Sequence, residues 1–86
     1  MLENSFGLSF FLKTPKNKSS IRYIYLRVTV DGKPKETSTK RTWDIQRWDP
    51  KTERATGNKE DARSLNHFLD AMASRINQFK MDLIYN

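Results

Sequence analysis

The 86-residue chain has no cysteine, one histidine, three glycines and three prolines. Without thiols there is no disulfide framework and no cysteine nucleophile or thiolate ligand, a usage that fits a reducing compartment. The lone histidine, His67, falls on the predicted solvent face of a helix, whereas metal sites draw on several ligands. Three glycines do not make a phosphate-cradling loop. No apolar run approaches the ~18 residues a membrane span needs. The opening "MLENSFGLSFFLK" has no basic segment, and Ser and Gly interrupt its apolar run, so no signal peptide is read there. Asp44 and Asp49 lie in a turn, where capping and turn bonding account for aspartate without catalysis. The sequence therefore predicts no enzyme within these residues, no cofactor, no metal site, no small-molecule substrate and no membrane partner.

Positive charge is abundant. Lys and Arg number 16 against 10 Asp and Glu, a net charge of +6. The excess is local: residues 13–54 hold twelve basic and five acidic residues, and residues 55–86 hold four of each. A basic half beside a neutral half points to a polyanionic partner. A net charge of ~2–8 also serves the solubility of a small domain, so charge alone does not decide. The length suits one small domain, residues 1–86, that buries about 60–65% of its unfolded surface.

Phe6, Leu8, Phe10 and Leu12 alternate with other residues and predict a half-buried strand. "PKNKSS", Pro15 to Ser20, is a basic loop. "IRYIYLRVTV", Ile21 to Val30, is rich in β-branched and aromatic residues and reads as a second strand. Asp31-Gly32 follows, the strongest short hairpin signal, because a type I′ turn needs positive φ at both positions. A third strand is expected from Lys33 to about Trp43. The two-residue turn sets its register. Val30 meets Lys33, Val28 meets Lys35, Leu26 meets Thr37 and Ile24 meets Thr39. On the other face Arg27 meets Glu36, Tyr25 meets Ser38 and Tyr23 meets Lys40.

Trp43 to Gly57 reads as a connector, with a turn at Asp49-Pro50 and both tryptophans expected to fold over the sheet edge. Asn58 is a candidate helix cap, with Glu60 and Asp61 in the first turn. Leu65, Leu69, Met72, Ile76, Phe79 and Leu83 then follow one helical stripe to about Ile84. The expected fold is α+β: a three-stranded antiparallel meander packed on one long C-terminal helix. Each buried Leu or Phe contributes roughly 1.5–3 kcal/mol, so the stripe should dominate the local energetics. Such a stripe also permits helix–helix pairing.

That arrangement leaves one sheet face for other work. It carries Phe11, Lys13, Tyr23, Tyr25, Arg27, Ser38 and Lys40. A β-ribbon of this kind fits the major groove of duplex DNA. Arg27 would read a guanine edge, with Thr29 or Ser38 beside it. Lys13, Lys16 and Lys18 would hold one phosphate backbone, and Lys33 and Lys35 the other. Plainer roles stand beside these. Arg27 and Glu36 also make an ordinary cross-strand ion pair, and Lys33 and Lys35 also protect a sheet edge. Phe11, Tyr23 and Tyr25 could instead stack the bases of single-stranded nucleic acid or RNA. A protein-interaction module using the helix stripe or a sheet edge is a third reading.

The succession "YLRVTVDGK", "ETST", "RWDPKTERATG" and "EDARSLNHFLD" resembles the N-terminal arm-type DNA-binding domain of tyrosine recombinases, especially integrases of conjugative transposons. Order and spacing carry the likeness, from about Phe6 onward. The resemblance implies a three-stranded sheet backed by a helix and laid into the major groove of arm-type sites. It implies double-stranded DNA as partner, other integrase protomers on the same DNA, and a bacterial cytoplasmic setting. It also implies that the chain is part of a longer recombinase whose core-binding and catalytic domains lie elsewhere. One departure stands out: where related sequences carry Gly and an aliphatic residue after Ser-Thr, this chain has Lys40 and Arg41. Arg41 then falls on the inward face, so either it snorkels outward or the third strand bends there.

Overall fold

The computed structural model describes residues 6–17 and 19–85, with side chains up to Phe79. Lys18 and the side chain of Leu83, both named above, lie outside the described set. The elements run β1 (Phe6–Leu12), β2 (Ile21–Val30), β3 (Lys33–Asp44), a 3₁₀ turn (Ile45–Arg47), β4 (Trp48–Asp49), β5 (Arg54–Ala55) and α1 (Glu60–Tyr85). Strands β1, β2 and β3 form an antiparallel sheet in that order, and β4 pairs with β5. The class is α+β, as the sequence predicts. The chain divides into two compact units, Met1–Arg54 and Ala55–Asn86.

In the first unit the hairpin forms where expected. Asp31 and Gly32 have φ of 52° and 80°, the left-handed pair that a two-residue turn of this hand requires. The turn sets Val30 against Lys33, Val28 against Lys35, Leu26 against Thr37, Arg27 against Glu36 and Tyr25 against Ser38. On the other side of β2, Leu8 faces Val28, Phe10 faces Leu26 and Leu12 faces Ile24. Side chains alternate along a strand, so these apolar residues share one face. Phe10, Ile24 and Leu26 are buried there.

The predicted register fails beyond Tyr25, where the expected Ile24–Thr39 pair gives way to an irregularity. Tyr23 pairs with Thr42, not Lys40. Between the pairs Tyr25–Ser38 and Tyr23–Thr42, three residues of β3 (39, 40 and 41) stand against Ile24 alone. This bulge places Lys40 at φ 68°. It is held by Thr39, whose buried hydroxyl donates to the Ile24 carbonyl at 2.8 Å and accepts from the Arg41 amide at 3.2 Å. The Lys40 amide donates to Ser38 Oγ at 3.0 Å. A bulge bends its strand and re-aims its side chains, and here both Lys40 and Arg41 are exposed. The third strand bends where the sequence raised the alternative.

Trp43, at the expected end of the third strand, is a β3 residue paired with Arg22, and the connector begins after Asp44. Its indole Nε1 donates to the Arg47 carbonyl at 2.7 Å, and the Arg47 guanidinium lies 4.4 Å from its ring centroid. The turn at Asp49-Pro50 is present: the Lys51 amide donates to Asp49 Oδ1 and the Glu53 amide to the Asp49 carbonyl, both at 2.8 Å. That turn delivers Glu53 to the free edge of β1. Its carboxylate accepts from Ser9 Oγ at 2.8 Å and from the Phe10 amide at 3.2 Å. An edge amide that would otherwise invite another strand is thereby occupied.

In the second unit α1 begins at Glu60, later than an Asn58 cap implies. The Lys59 carbonyl accepts the first helical bond, from the Arg63 amide at 3.0 Å, so Lys59 is the capping residue and Asn58 lies outside. Ala62, Leu65 and Leu69 are buried, Met72 and Ile76 half-buried. Phe79, counted with the stripe, is 64% exposed. An apolar period says which side of a helix can be buried, not how far along its axis burial runs. Asn66 closes the segment ahead of the helix, accepting from the Ala55 amide at 2.8 Å and donating to its carbonyl at 3.1 Å.

Candidate nucleic-acid interface

The second face of the three-stranded sheet is built by the residues between the buried ones. Register puts Ser9, Arg27 and Glu36 in one row and Phe11, Tyr25 and Ser38 in the next. The Lys13 amide donates to the Tyr23 carbonyl at 3.0 Å, which continues the β1–β2 ladder by one residue and sets Lys13 beside Tyr23.

Five of these side chains form one cluster. Glu36 Oε2 accepts from Arg27 Nε at 3.0 Å and from Arg27 Nη2 at 2.7 Å. Glu36 Oε1 accepts from Lys13 Nζ at 3.2 Å. The Arg27 guanidinium carbon lies 4.9 Å from the Phe11 ring centroid, and Lys13 Nζ lies 4.9 Å from that of Tyr25. Phe11 and Tyr25 themselves meet at 6.0 Å between centroids, tilted by 38°. The cluster is at the surface: the side chains of Lys13, Arg27 and Glu36 are 51%, 46% and 30% exposed. The hydrogen bond from Arg27, and then that from Lys13, lower the pKa of the Glu36 carboxyl, so it is a carboxylate at neutral pH. Two cations against one anion leave the cluster net positive.

The remaining predicted residues fall into separate places. Tyr23, on the same face, is 54% exposed. A cavity of about 400 Å³ lies at this end of the sheet, lined by Lys13, Ser19, Arg22, Tyr23, Tyr25 and Thr42. Thr29 is half-buried opposite Pro34. Lys16 is exposed in the β1–β2 loop, and Lys40 stands out at the bulge. Lys33 and Lys35 share the face of their partners Val30 and Val28, and with them line a shallow groove at the hairpin tip. The structure does not bring these two lysines to the Arg27 cluster.

A family model described as an arm DNA-binding domain matches residues 10–86. The chain belongs to that family. No curated protein and no solved structure matches it. The matched span of this arm domain contains every residue of the cluster and every position predicted above to contact DNA. DNA is therefore its partner class, and the domain itself is non-catalytic. Among the described residues no group of His, Asp and Glu could hold a metal ion, and no helix is long and apolar enough to cross a membrane.

Sequence reasoning missed two residues of the site. Glu36 was paired with Arg27 by register, but its second bond, to Lys13 on the far strand, requires the sheet to be assembled. Arg22 was read only as a strand residue, yet it lines the cavity beside Tyr23. Its alternation places it with the buried face, and only the end of the sheet makes it accessible.

Proposed function

We propose that this arm domain serves a site-specific tyrosine recombinase and recognises arm-type sites by laying the Arg27 face of its sheet in the major groove. One observation carries the reading: a solvent-facing guanidinium held in place on a three-stranded antiparallel ribbon. A ribbon of this width enters the major groove, and arginine there pairs with guanine O6 and N7. Tyr23, Tyr25, Thr29 and Ser38 flank Arg27 as further contacts to bases or sugar-phosphate. Lys13, Lys16, Lys18 and Lys40 hold phosphates, and Lys33 and Lys35 reach the backbone from the hairpin tip. The whole protein would place its core-binding and catalytic domains outside this domain, with several protomers sharing the DNA in a bacterial cytoplasm.

Stacking of single-stranded bases is the weaker reading. A cation already lies over Phe11 and another over Tyr25, two of the three rings that stacking would use. Among the described residues a protein-interaction role has no comparable side-chain constellation behind it.

The test is titration with duplex DNA at several salt concentrations. With about 4–6 phosphate contacts, the log–log slope should be about −4 to −5. Arg27→Ala should reduce discrimination between a selected duplex and its scramble, while Lys16→Ala weakens both alike. Salt-independent binding, or single strands outcompeting duplex of the same sequence, would count against the reading.

A further inference from the structure

We propose that Glu36 is a specificity-determining residue of this surface: it orients Arg27 for guanine and penalises DNA that lacks a matching base. The inference rests on the major-groove reading above. A carboxylate in the middle of a surface meant for a polyanion is unfavourable in itself, since it repels phosphate and cancels part of the local positive charge. Stability does not explain its presence, because solvated ion pairs of this kind contribute little. Its geometry supplies another explanation.

Arginine has two ways to offer a pair of parallel N–H groups. The side-on pair uses Nε and Nη2, and the end-on pair uses Nη1 with the second proton of Nη2. Glu36 takes the side-on pair, both bonds ending on Oε2. The end-on pair is thereby left for guanine, with the guanidinium held between Glu36 on one side and the Phe11 ring 4.9 Å away. An arginine fixed in this way pays less conformational entropy on binding the right base and cannot swing to the nearest phosphate. The second carboxylate oxygen does the same to Lys13, tying its ammonium at 3.2 Å over the Tyr25 ring. One anion therefore restrains both cations of the cluster. A duplex with guanine at the right place satisfies the free end of Arg27. A duplex without it meets a carboxylate and two cations already engaged.

Removing the charge should therefore improve binding to the wrong DNA more than to the right one. The experiment uses a duplex selected by the wild-type chain from a random-sequence pool, and its scramble, with Glu36→Gln compared with wild type at fixed salt. Glu36→Gln keeps the shape and removes the anion. Affinity for the scramble should rise roughly threefold to tenfold, as one fewer phosphate-repelling charge implies, while affinity for the selected duplex changes less than about twofold. Amide spectra of the two proteins should otherwise superimpose. Arg27→Ala with Glu36→Gln should discriminate no worse than Arg27→Ala alone, because without the guanidinium Glu36 has nothing to orient; a further loss in the double variant would overturn action through Arg27. Equal tightening on both duplexes, or an unchanged ratio, overturns the role of Glu36 while leaving the groove reading intact. A wild-type chain that selects no duplex sequence overturns the groove reading itself, and this inference with it.

Discussion

Ile24 and Tyr25 are neighbours in β2 with opposite fates. Ile24 is fully buried, whereas Tyr25 looks outward with a lysine ammonium over its ring. The same holds for Leu26, buried, and Arg27, exposed and tied to Glu36. One strand thus supplies two surfaces with separate duties. The apolar face carries stability, because each buried aliphatic side chain contributes roughly 1.5–3 kcal/mol. The polar face contributes little of that kind, so its residues can be chosen for what they contact. Its parts are nevertheless ordered: aromatic rings and a carboxylate hold the cations where a bare lysine or arginine would sweep a wide volume.

The division can be broken most forcefully at Ile24. Ile24→Ala should cost about 2–5 kcal/mol of folding stability, the usual result of leaving a cavity at a fully buried site. Urea unfolding monitored by tryptophan fluorescence would measure it. Arg27→Ala, one face over, should change stability by less than about 0.5 kcal/mol while altering DNA discrimination. Comparable losses from the two substitutions would show that the faces are not separate in energy.

A smaller effect is expected at the bulge, where the two faces are joined. Thr39→Val keeps the shape of the side chain and removes a buried hydroxyl that donates to Ile24 and accepts from Arg41. The loss should be about 1–2 kcal/mol, with faster exchange of the Arg41 amide. A neutral Thr39→Val would mean that Lys40 holds its positive φ without help from this bond.

The smallest effect concerns acid. Hydrogen bonds from Arg27 and Lys13 lower the pKa of Glu36, so the folded state favours its ionised form. The stabilisation is present above the carboxylate range of the unfolded chain and fades as pH falls through the lowered folded value. Side-chain carboxyl shifts in an NMR titration should show Glu36 protonating below an ordinary glutamate, and Arg27→Ala should move its midpoint upward. A Glu36 midpoint at or above the ordinary range would dissolve the cluster as described.

Much of this was legible in local pattern. Alternation at Phe6 to Leu12 and the Asp31-Gly32 turn led directly to three strands and to the correct pairing from Val30 to Tyr25. The helix followed from its period, although Asn58 lies outside the cap and Phe79 is exposed. The surface residues Phe11, Lys13, Tyr25 and Arg27 could be named because register assigns faces before any packing is known. The bulge could not be named. Nothing in "TSTKRT" says that Lys40 takes a left-handed conformation, because the local bonds to Ser38 and Thr39 act together with one from Thr39 to Ile24 on another strand, which local pattern does not show.

Faces, turn and charge distribution are set by short-range rules, namely the two-residue period of a strand and the positive φ that Asp-Gly tolerates. These operate within a few residues, so the order of amino acids suffices to decide them. Glu36 reaching Lys13 across 23 positions, and Glu53 reaching the Phe10 amide across 43, belong to the assembled chain. Distances of that kind exist only after strands have paired and a turn has brought a carboxylate to an edge, because a hydrogen bond forms between atoms close in space whatever their separation along the backbone.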